Sequence, residues 1–572
     1  MIIIEYYSIP IKIHKYLKMT TENAVIQHFK EGWRYCRNRS HELENLSGKL
    51  SNAYDNKFVS VLASGRAALH GILASEFMIY PGATLLFNQE THQETMDLVE
   101  FLHTIYDFKH SQIALEIESQ FENAIKSEPD NIFVLFLEAS KKSIFDFNLI
   151  TKARTWCQKL IVVVDAQYLP LQVVDQAFTY VNSIVMSIAC ADNLAITAGV
   201  LINDGETFIL SRDFVKLQGS HVPPEFCGKL AESYVIDTWR KACVGSHEQE
   251  MLSQKLTEEY GKYAMITPSG NAAMNAALNV LLMKNPEAEI ICGDELYCDT
   301  PRIMIDVLQK VYQTKLHEIF VNEISEVIKL MHPDKTFILV LETCSNPSGD
   351  IFDFTMISKL RTMCKKLIVV ADNTWLTGPI LNPFDYDVDI VPVSLTKYYS
   401  GSQCIAGAIM TGEDLSMDIC TYLQCIGTQI SSKYCAMISA SHDTLKDRLA
   451  RSSSLTLKAV RLLASGTNIV VRHPSLESDR SHAKASMFFK NGLYPSVVSL
   501  IINKRKNQAI KWMKKSGFNY WTSYGGPDTR CDPYPEQNKD GSTTCRLALG
   551  YNDDEKVVLT VLARMLEELK KS

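Results

Sequence analysis

The feature that most constrains this chain is a repeat, because its 572 residues contain one long unit twice. The segment GWRYCRNRSHELENLSGKLSNAY matches DTWRKACVGSHEQEMLSQKLTEEY, pairing Trp33 with Trp239 and His41 with His247 at a spacing of 206 (239 − 33 and 247 − 41). A period this long indicates a duplicated domain rather than a solenoid of short repeats. The chain is therefore expected to hold two large units of the same fold.

Further matches follow in the same order and suggest the fold class. VLASGRAALHGIL is similar to MITPSGNAAMNAAL, and CQKLIVVVD is similar to CKKLIVVAD. LIVVAD is typical of a buried strand in a parallel sheet that ends in a carboxylate, Asp372. Ligands of such sheets collect at the carboxyl ends of the strands, so an α/β fold with Asp372 near a ligand is predicted.

Lys397 lies 25 positions after Asp372 (397 − 372) and follows the hydroxyl residues Ser394 and Thr396. A carboxylate can hold a pyridine nitrogen protonated, and a lysine amine can carry an aldehyde as a Schiff base. Together they suit a pyridoxal phosphate site, with the two hydroxyls offered to the phosphate. Taken singly, the aspartate could be a helix cap or turn residue and the lysine a solvated surface group.

A glycine turn before an apolar helix supplies a second candidate for phosphate binding. In PSGNAAMNAAL, free amides at the first turn of the helix can hold an anion, which makes Gly270 and Asn271 candidates. Ser269 precedes them as a further candidate. The alternative for Ser269 is that its hydroxyl only caps the helix.

The motifs ITPSGNAAMNAAL, LETCSNPSGDIFDF and DNTWLTGP stand in the order used by the Cys/Met-metabolism family of pyridoxal phosphate enzymes. The segment from about 233 to 572 resembles cystathionine γ-synthase, cystathionine γ-lyase and methionine γ-lyase. The resemblance implies a fold-type I pyridoxal phosphate transferase-like α/β fold with a small C-terminal α/β domain. The implied cofactor is pyridoxal 5'-phosphate.

The same resemblance assigns roles to individual residues. Lys397, Tyr297 and Asp372 would be catalytic, with Tyr297 stacked on the pyridine ring and Asn346 near the ring oxygen of the cofactor. Arg546 in STTCRLALGYNDDE would grip the substrate α-carboxylate, and Ser523 would line that site. γ-Synthases and γ-lyases carry a glutamate just before this serine, but Thr522 stands here. Arg530 is close enough in sequence to be a second anion-binding residue.

The implied reaction is γ-replacement on an O-acylhomoserine by cysteine, as in cystathionine γ-synthase. A cystathionine or methionine γ- or β-lyase is the alternative. A further alternative is a non-catalytic assembly protein that has kept the fold. Amino acids would be the substrates.

The first copy has lost the lysine but keeps the hydrophobic pattern of the domain. Asp165 corresponds to Asp372, but the lysine position falls on Ala189 or Cys190, and no lysine occurs between Lys159 and Lys216. We interpret this copy as a degenerate domain kept for packing, with a second ligand site on Asp165 as the rival interpretation. The predicted units are an N-terminal arm (1–29), a degenerate large domain (30–232), a catalytic large domain (233–445) and a small domain (446–572).

The two copies also divide a motif that the family uses across its dimer interface. A Tyr-x-Arg element, which in the family reaches the phosphate of the other subunit, occurs in the first copy as Tyr35 and Arg37. The second copy has Lys241, Ala242 and Cys243 there. The resemblance thus predicts an intrachain pseudo-dimer in which Tyr35 and Arg37 bind the cofactor of the second copy. Further homo-oligomerisation is left open, and Arg37 as a solvated charge is the alternative.

Composition excludes several function classes. A net charge of −7 without a Lys/Arg block predicts no nucleic-acid partner, and the apolar N-terminal run is interrupted by charges and a proline, which predicts no membrane span. The 15 cysteines have no CxxC pair and no metal-ligand spacing, so reduced thiols, a cytoplasmic location and no metal site are expected.

Overall fold

The computed structural model describes residues 40–53, 57–89, 91–115, 117–138, 148–166, 181–190, 193–203, 224–232, 234–236, 246–320 and 324–570. The predicted N-terminal arm, Tyr35 and Arg37 lie outside the described residues, as do Lys241 to Cys243. The described chain forms three sheets with helices between and around them.

The first sheet is built from eight strands whose apolar runs are rich in Val, Ile, Leu and Phe. Its elements are α1 (His41–Ala53), β1 (Phe58–Leu62), α2 (Gly65–Ile79), β2 (Thr84–Asn88), α3 (Gln93–His103), β3 (Lys109–Ile113), α4 (Glu118–Lys126), β4 (Ile132–Glu138), α5 (Asn148–Ala153), β5 (Lys159–Asp165), β6 (Ser183–Cys190), β7 (Asn193–Asn203), α6 (Pro224–Glu232) and β8 (Tyr234–Ile236). The strand order is β1-β7-β6-β5-β4-β2-β3, and β8 pairs with β6 at the side of this path.

The second sheet has seven strands from the next part of the chain. Its elements are α7 (His247–Tyr260), β9 (Tyr263–Thr267), α8 (Gly270–Lys284), β10 (Glu289–Gly293), α9 (Asp299–Arg302), a π turn (Ile303–Leu308), α10 (Gln309–Tyr312), β11 (Leu316–Ile319), α11 (Ile324–Leu330), β12 (Thr336–Glu342), α12 (Ile357–Arg361), β13 (Lys366–Asp372), β14 (Ile390–Val393), β15 (Gly407–Thr411), α13 (Glu413–Cys425) and α14 (Ser432–His442), with short 3-10 turns at Phe354–Met356 and Pro383–Tyr386. The strand order is β9-β15-β14-β13-β12-β10-β11.

The two orders are the same when the first seven strands of each copy are matched in sequence. In both sheets the first strand and the seventh pair antiparallel, as do the sixth and the seventh, whereas the other neighbours are parallel. Helices α2 and α8 are both 15 residues long and directly follow the first strand of their copy. The repeat that the sequence shows is thus also a repeat of topology.

Each central strand alternates its apolar residues between two faces. In the first sheet Phe136 and Val163 point into a buried cluster that also contains α2, whereas Leu135 and Val162 pack on the other side. The second sheet behaves in the same way, and the cluster that holds Val340 and α8 is the one that holds α2. One continuous core therefore joins the two copies through their helices.

The third sheet, with the helices that cover it, forms the small domain. The elements are α15 (Leu445–Ala464), β16 (Ile469–Arg472), α16 (His482–Phe488), β17 (Val497–Ile502), α17 (Lys506–Lys514), β18 (Asn519–Tyr520), β19 (Arg530–Cys531), β20 (Glu536–Gln537), β21 (Thr543–Ala548) and α18 (Glu555–Lys570). Helix α15 begins in the core of the second copy with Leu445 and Leu449 and continues into the core of this sheet with Leu455 and Leu463.

The first sheet extends past the predicted boundary at residue 232. Tyr234–Ile236 forms β8, which pairs antiparallel with β6. The short connection had no sequence pattern that would assign it to either copy, and its backbone hydrogen bonds are made with the first. No helix in the described part of the chain is long and apolar enough to cross a bilayer.

Candidate active site

Lys397 lies in the turn between β14 and β15, at the carboxyl edge of the second sheet. Its side chain is buried, and its Nζ donates a hydrogen bond to Ser523 Oγ at 3.0 Å. The ring of Tyr524 lies 5.3 Å from Nζ. Ser523 holds this position with φ +92°, a conformation that costs energy for a residue with a Cβ. The lysine is therefore enclosed by the large and small domains together.

Asp372 ends β13, as the sequence predicted. One of its oxygens, Oδ1, accepts a hydrogen bond from the backbone N–H of Thr374 at 2.8 Å, and the Thr374 hydroxyl accepts one from the N–H of Ser394 at 2.7 Å. These two bonds tie the strand-end carboxylate to the segment that carries Lys397. In the parallel pairing of β12 with β13, Glu342 stands opposite Asp372.

The start of α8 forms a small cradle against Ser394. A Cβ added to Gly270 would lie 2.8 Å from Ser394 Cβ, so only glycine fits. Ser394 Oγ is buried and has no hydrogen-bond partner among the described residues. The Ser269 hydroxyl accepts the N–H of Ala272 at 3.1 Å, which is the capping role considered as its alternative.

The other two residues predicted to bind phosphate are engaged with protein groups. Asn271 donates its side-chain amide to Asp299 Oδ2 at 2.8 Å. The Thr396 hydroxyl donates to the carbonyl of Ala406 at 3.1 Å and accepts that residue's N–H at 3.2 Å. Thr396 thus closes the turn that carries Lys397.

Tyr297 is held from both ends. Its backbone N–H donates to Glu342 Oε1 at 2.5 Å, and its hydroxyl donates to Asp299 Oδ2 at 3.3 Å. Burial, and then the neighbouring carboxylate of Asp372, raise the pKa of Glu342 well above its ordinary value. Glu342 therefore anchors the Tyr297 loop through its oxygen, and its carboxyl group keeps its proton to a higher pH than an exposed glutamic acid does.

Arg546 on β21 reaches the same edge of the site. Its Nη1 donates to Asn346 Oδ1 at 2.7 Å, and its Nη2 forms an ion pair with Asp532. Its guanidinium lies 5.8 Å from the Trp375 ring centroid and 6.0 Å from that of Tyr524. Burial lowers the pKa of Arg546, but Asp532, Tyr524 and Glu342 together outweigh burial and the net shift is upward. The planar fork is fixed and fully charged, as carboxylate recognition requires.

Arg530 lies on the neighbouring strand β19 and is buried. Its Nε donates to the carbonyl of Asp528 at 3.4 Å, and its guanidinium lies 5.8 Å from the Trp521 ring. A Cβ on Gly526 would meet both Arg530 Nη2 and Ser402, which belongs to the turn after Lys397. The role of Arg530 as an anion-binding residue stays a prediction.

The first copy repeats part of this arrangement. The N–H of His92, which aligns with Tyr297, donates to Glu138 Oε2 at 2.8 Å, and Glu138 stands opposite Asp165 as Glu342 stands opposite Asp372. The carboxyl pair and the loop anchor thus persist in the copy that lacks the lysine. The carboxyl pair and the loop anchor are therefore features of the fold that the two copies share.

Sequence reasoning did not single out Glu342, Asp299 or Asp532. Glu342 and Asp299 lie inside the motifs LETCSNPSGD and LYCDT, so the signal was a carboxylate within a segment already assigned to the site. Asp532 follows Arg530 in a segment with no regular period. Only the pairing of β19 with β21, which brings the Asp532 N–H to the Arg546 carbonyl at 2.9 Å, reveals it.

The profile of the Cys/Met metabolism PLP-dependent enzymes matches residues 6–191 and 244–553, which together make up most of the chain. The chain belongs to this family. The match comes in two stretches: the first ends within the first repeated sheet, and the second covers the second repeated sheet and most of the small domain.

Curated relatives share a smaller part of the chain. Cystathionine β-lyase of Schizosaccharomyces pombe is 25% identical over 231 residues, which cover 40% of this chain and 57% of that protein. Cystathionine β-lyase of Staphylococcus haemolyticus is 30% identical over 222 residues, 38% of this chain and 55% of that protein. The chain thus spans little more than half the length of these relatives. L-alanine/L-glutamate racemase of Wolbachia pipientis is 24% identical over 333 residues, 55% and 79% of the two chains.

Among solved structures, the metB protein of Corynebacterium glutamicum superposes with a TM-score of 0.52 at 21% identity, over 58% of this chain and 88% of the other. This likeness concerns the fold. It agrees with the α/β architecture predicted from the sequence, because fold-type I enzymes of this family share it.

The residues present fit the cofactor of the family. Two buried donors, Ser394 Oγ and Trp375 Nε1, have no hydrogen-bond partner among the described residues. Ser394 Oγ lies at the glycine cradle, and the Trp375 ring lies beside Arg546. Buried donors are rarely left unsatisfied, so a phosphate at the cradle would supply the missing acceptor of Ser394 Oγ.

Proposed function

We propose that this protein is a pyridoxal phosphate-dependent enzyme that breaks the side-chain carbon–sulfur bond of a sulfur-containing α-amino acid such as cystathionine. The observation that carries the proposal is the convergence of Lys397, Ser523 and the Arg546–Asn346 pair at one edge of the second sheet. An amine, a hydroxyl and a charged fork are what binding and deprotonating an amino acid require.

Four groups would hold the cofactor. Lys397 Nζ would bind it covalently, Asp372 would face the pyridine nitrogen, and the cradle of Gly270 with Ser394 Oγ would receive the phosphate. Tyr297 would cover the ring. When bound, pyridoxal phosphate withdraws electrons from the Cα of an amino acid.

Arg546 would bind the substrate carboxylate. Its Nη1 donates to Asn346, so the fork already has a fixed orientation before a ligand arrives. Asp532 holds the other nitrogen, and the substrate carboxylate therefore competes with a carboxylate of the protein. This competition selects ligands that also make contacts elsewhere in the site.

Lys397 would move the proton. Once the amine of the substrate has replaced Nζ on the cofactor, the freed Nζ, which Ser523 Oγ can position, would take the Cα proton while Arg546 holds the α-carboxylate. The Cβ–S bond would then break, with its electron pair leaving on sulfur, and Nζ would pass its proton to the departing thiolate to give the thiol. Tyr297, anchored through Glu342 and Asp299, would keep the reacting part covered and exclude water.

γ-Replacement on an O-acylhomoserine is the second candidate. The choice depends on residue 522, where the resembling γ-synthases and γ-lyases carry glutamate and this chain carries Thr522. The two relatives named cystathionine β-lyase support elimination. Replacement remains the prediction made from the motif order.

A single panel of assays separates these candidates. The purified protein, loaded with pyridoxal phosphate, is given cystathionine with detection of free thiol, and O-succinyl-, O-acetyl- and O-phosphohomoserine with and without cysteine. Thiol release from cystathionine supports elimination, whereas cysteine-dependent consumption of an acylhomoserine supports replacement. No turnover of any of them, in a protein whose Lys397 binds the cofactor, would favour the non-catalytic alternative.

We further infer that the two large units arose by duplication and pair within one chain. The identical strand orders and the core that contains both α2 and α8 support this inference. Tyr35 and Arg37 would extend the pairing to the phosphate of the second copy. Arg37→Ala should then raise the dissociation constant for pyridoxal phosphate by roughly tenfold, as the loss of a charge-assisted contact does.

A further inference from the structure

Helix α2 of the first copy begins with the same local structure as the cradle helix α8. Ser64 caps it in an extended conformation (φ −154°, ψ 162°), as Ser269 caps α8 (φ −162°, ψ 165°), and each hydroxyl accepts the N–H three residues later. Gly199 passes against Ser64 just as Gly407 passes against Ser269. The start of α2 is therefore the counterpart of the cofactor cradle.

This counterpart is filled by protein from the other copy. Ser64 Oγ donates to the carbonyl of Gly427 at 2.8 Å, and Arg66 Nε donates to the carbonyl of Cys425 at 2.9 Å. Cys425 is the last residue of α13 of the second copy, and Gly427 lies in the turn that follows this helix. Residues 425–427 are called the docking turn below.

Only glycine can stand at the tip of the docking turn. Gly427 has φ +66°, and a Cβ there would lie 2.7 Å from the Ala67 nitrogen and 2.9 Å from Arg66 Cβ. A side chain would therefore collide with the first turn of α2 in addition to straining the backbone. The fit is close on both sides of the contact.

Charge favours the same contact. The last carbonyls of α13 have no partner within the helix, and the partial negative charge at a helix C-terminus attracts a cation. Arg66 supplies the cation and the donor together, and its Nη1 lies 3.8 Å from Glu94 of its own copy. Beside the turn, Phe101 of the first copy meets Tyr422 of the second edge to face at 5.5 Å.

The docking turn leads into the apolar core of the second copy. Ile430 and Tyr434 follow it, and both are buried in the cluster that contains Leu395, Tyr398 and Tyr399, the residues around Lys397. A displacement of the docking turn would therefore reach the packing that supports the Lys397 turn.

We propose that the start of α2 is a docking site for residues 425–427 of the second copy, and that this contact positions the following segment, which shares a core with the Lys397 turn. The first copy thus keeps its cradle as a site for protein instead of cofactor. The docking contact is independent of the proposed function. Only the importance of the Lys397 turn rests on the proposed function. A second cofactor molecule on the first copy would need the space that Gly427 occupies.

The test compares two glycine substitutions by hydrogen exchange of the full chain without cofactor. Gly427→Ala introduces both backbone strain and the collision with α2. Gly261→Ala, at the end of α7, introduces the same strain at φ +68° with no atom within 4 Å of the new Cβ. Arg66→Ala removes the donor to Cys425 without adding strain.

We expect Gly427→Ala and Arg66→Ala to accelerate exchange about tenfold or more at two places, the amides of Ala67 and Ala68 in the first copy and those of residues 426–434 in the second. Such a change corresponds to about 1.4 kcal/mol of local opening free energy. Gly261→Ala should affect only the surroundings of α7.

Acceleration confined to the second copy in both docking variants, or equal effects of Gly427→Ala and Gly261→Ala on α2, would overturn the proposal. A binding stoichiometry of two pyridoxal phosphates per chain would overturn it as well. A failure of the proposed function would appear differently, as absent turnover or a cofactor adduct on a lysine other than Lys397, with the exchange coupling intact.

Discussion

The carboxyl group of Glu342 offers the sharpest test of how the site is held, because the first copy contains a matched control in Glu138. Each accepts a backbone N–H, from Tyr297 at 2.5 Å in one copy and from His92 at 2.8 Å in the other. Glu342→Ala leaves the half-buried N–H of Tyr297 without its acceptor, which costs about 1–3 kcal/mol of unfolding free energy. Glu138→Ala should cost a similar amount for the same reason.

The two alanine variants should differ in activity. We propose that Tyr297 covers the reacting groups, so its release should misplace it, and a displacement of about 1 Å can lower the rate on the order of 10²-fold. Glu138→Ala changes only the loop of His92, so its kcat should stay near that of the parent. Steady-state kinetics measures the difference in kcat between the two variants, and chemical denaturation measures the loss of stability in each. Equal losses of kcat in the two variants would refute the anchoring role.

Glu342→Gln adds a test of protonation. Because burial and Asp372 raise the pKa of Glu342, the folded protein retains a proton that the unfolded chain releases near its ordinary pKa. The stabilisation is complete below that ordinary pKa and is lost as pH rises through the folded pKa. Glutamine keeps an oxygen acceptor and has no proton to lose. The variant should therefore gain stability relative to the parent as pH rises above the ordinary pKa of a glutamic acid, and a constant difference during that rise would contradict a raised pKa of Glu342.

Other variants test the remaining roles. Lys397→Ala should abolish turnover with unchanged circular dichroism, because it removes the amine that we propose binds the cofactor and moves the proton; measurable turnover would contradict this role. Asp372→Asn should retain cofactor while lowering kcat strongly, and a rate within a few-fold of the parent would show that the carboxylate is structural. Arg546→Lys should raise KM without loss of cofactor, by the equivalent of about 1.5–3 kcal/mol, since the planar fork is lost; an unchanged KM would assign the carboxylate to another group. Burial lowers the pKa of His473 to about 4, so the unfolded chain binds a proton at a higher pH than the folded protein does. The folded state should therefore lose up to about 3 kcal/mol of stability as pH falls from about 6.5 toward 4. His473→Gln should remove that part of the acid sensitivity in a denaturation series.

The sequence predicted the α/β frame well because apolar strands that end in carboxylates leave a strong pattern. Strands β5 and β13 occur where CQKLIVVVD and CKKLIVVAD placed them, and their neighbours follow the same order in both copies. The glycine at the start of α8 was recognisable for the same reason, since a turn that enters an alanine-rich helix is a local signal. These features depend on residues that are adjacent in the chain.

Features that depend on distant contacts were not predictable in this way. Thr396 was expected to face the phosphate, but its hydroxyl bonds to Ala406, ten residues later, and this contact becomes visible only when the turn is folded. Asp532 reaches Arg546 because two strands of the small domain pair. No residue spacing in the sequence predicts that Asp532 forms an ion pair with Arg546.

Having both sheets on one chain alters how the interface between them can change. In an isologous homodimer each substitution occurs on both sides of the twofold axis, so a larger side chain on one face must be accommodated twice. Here Arg66 and Gly427 are encoded separately, and either can vary without the same change at the equivalent position of the other copy. The glycine and the arginine can therefore become complementary in shape and charge, an asymmetry that two identical subunits with exact symmetry cannot acquire.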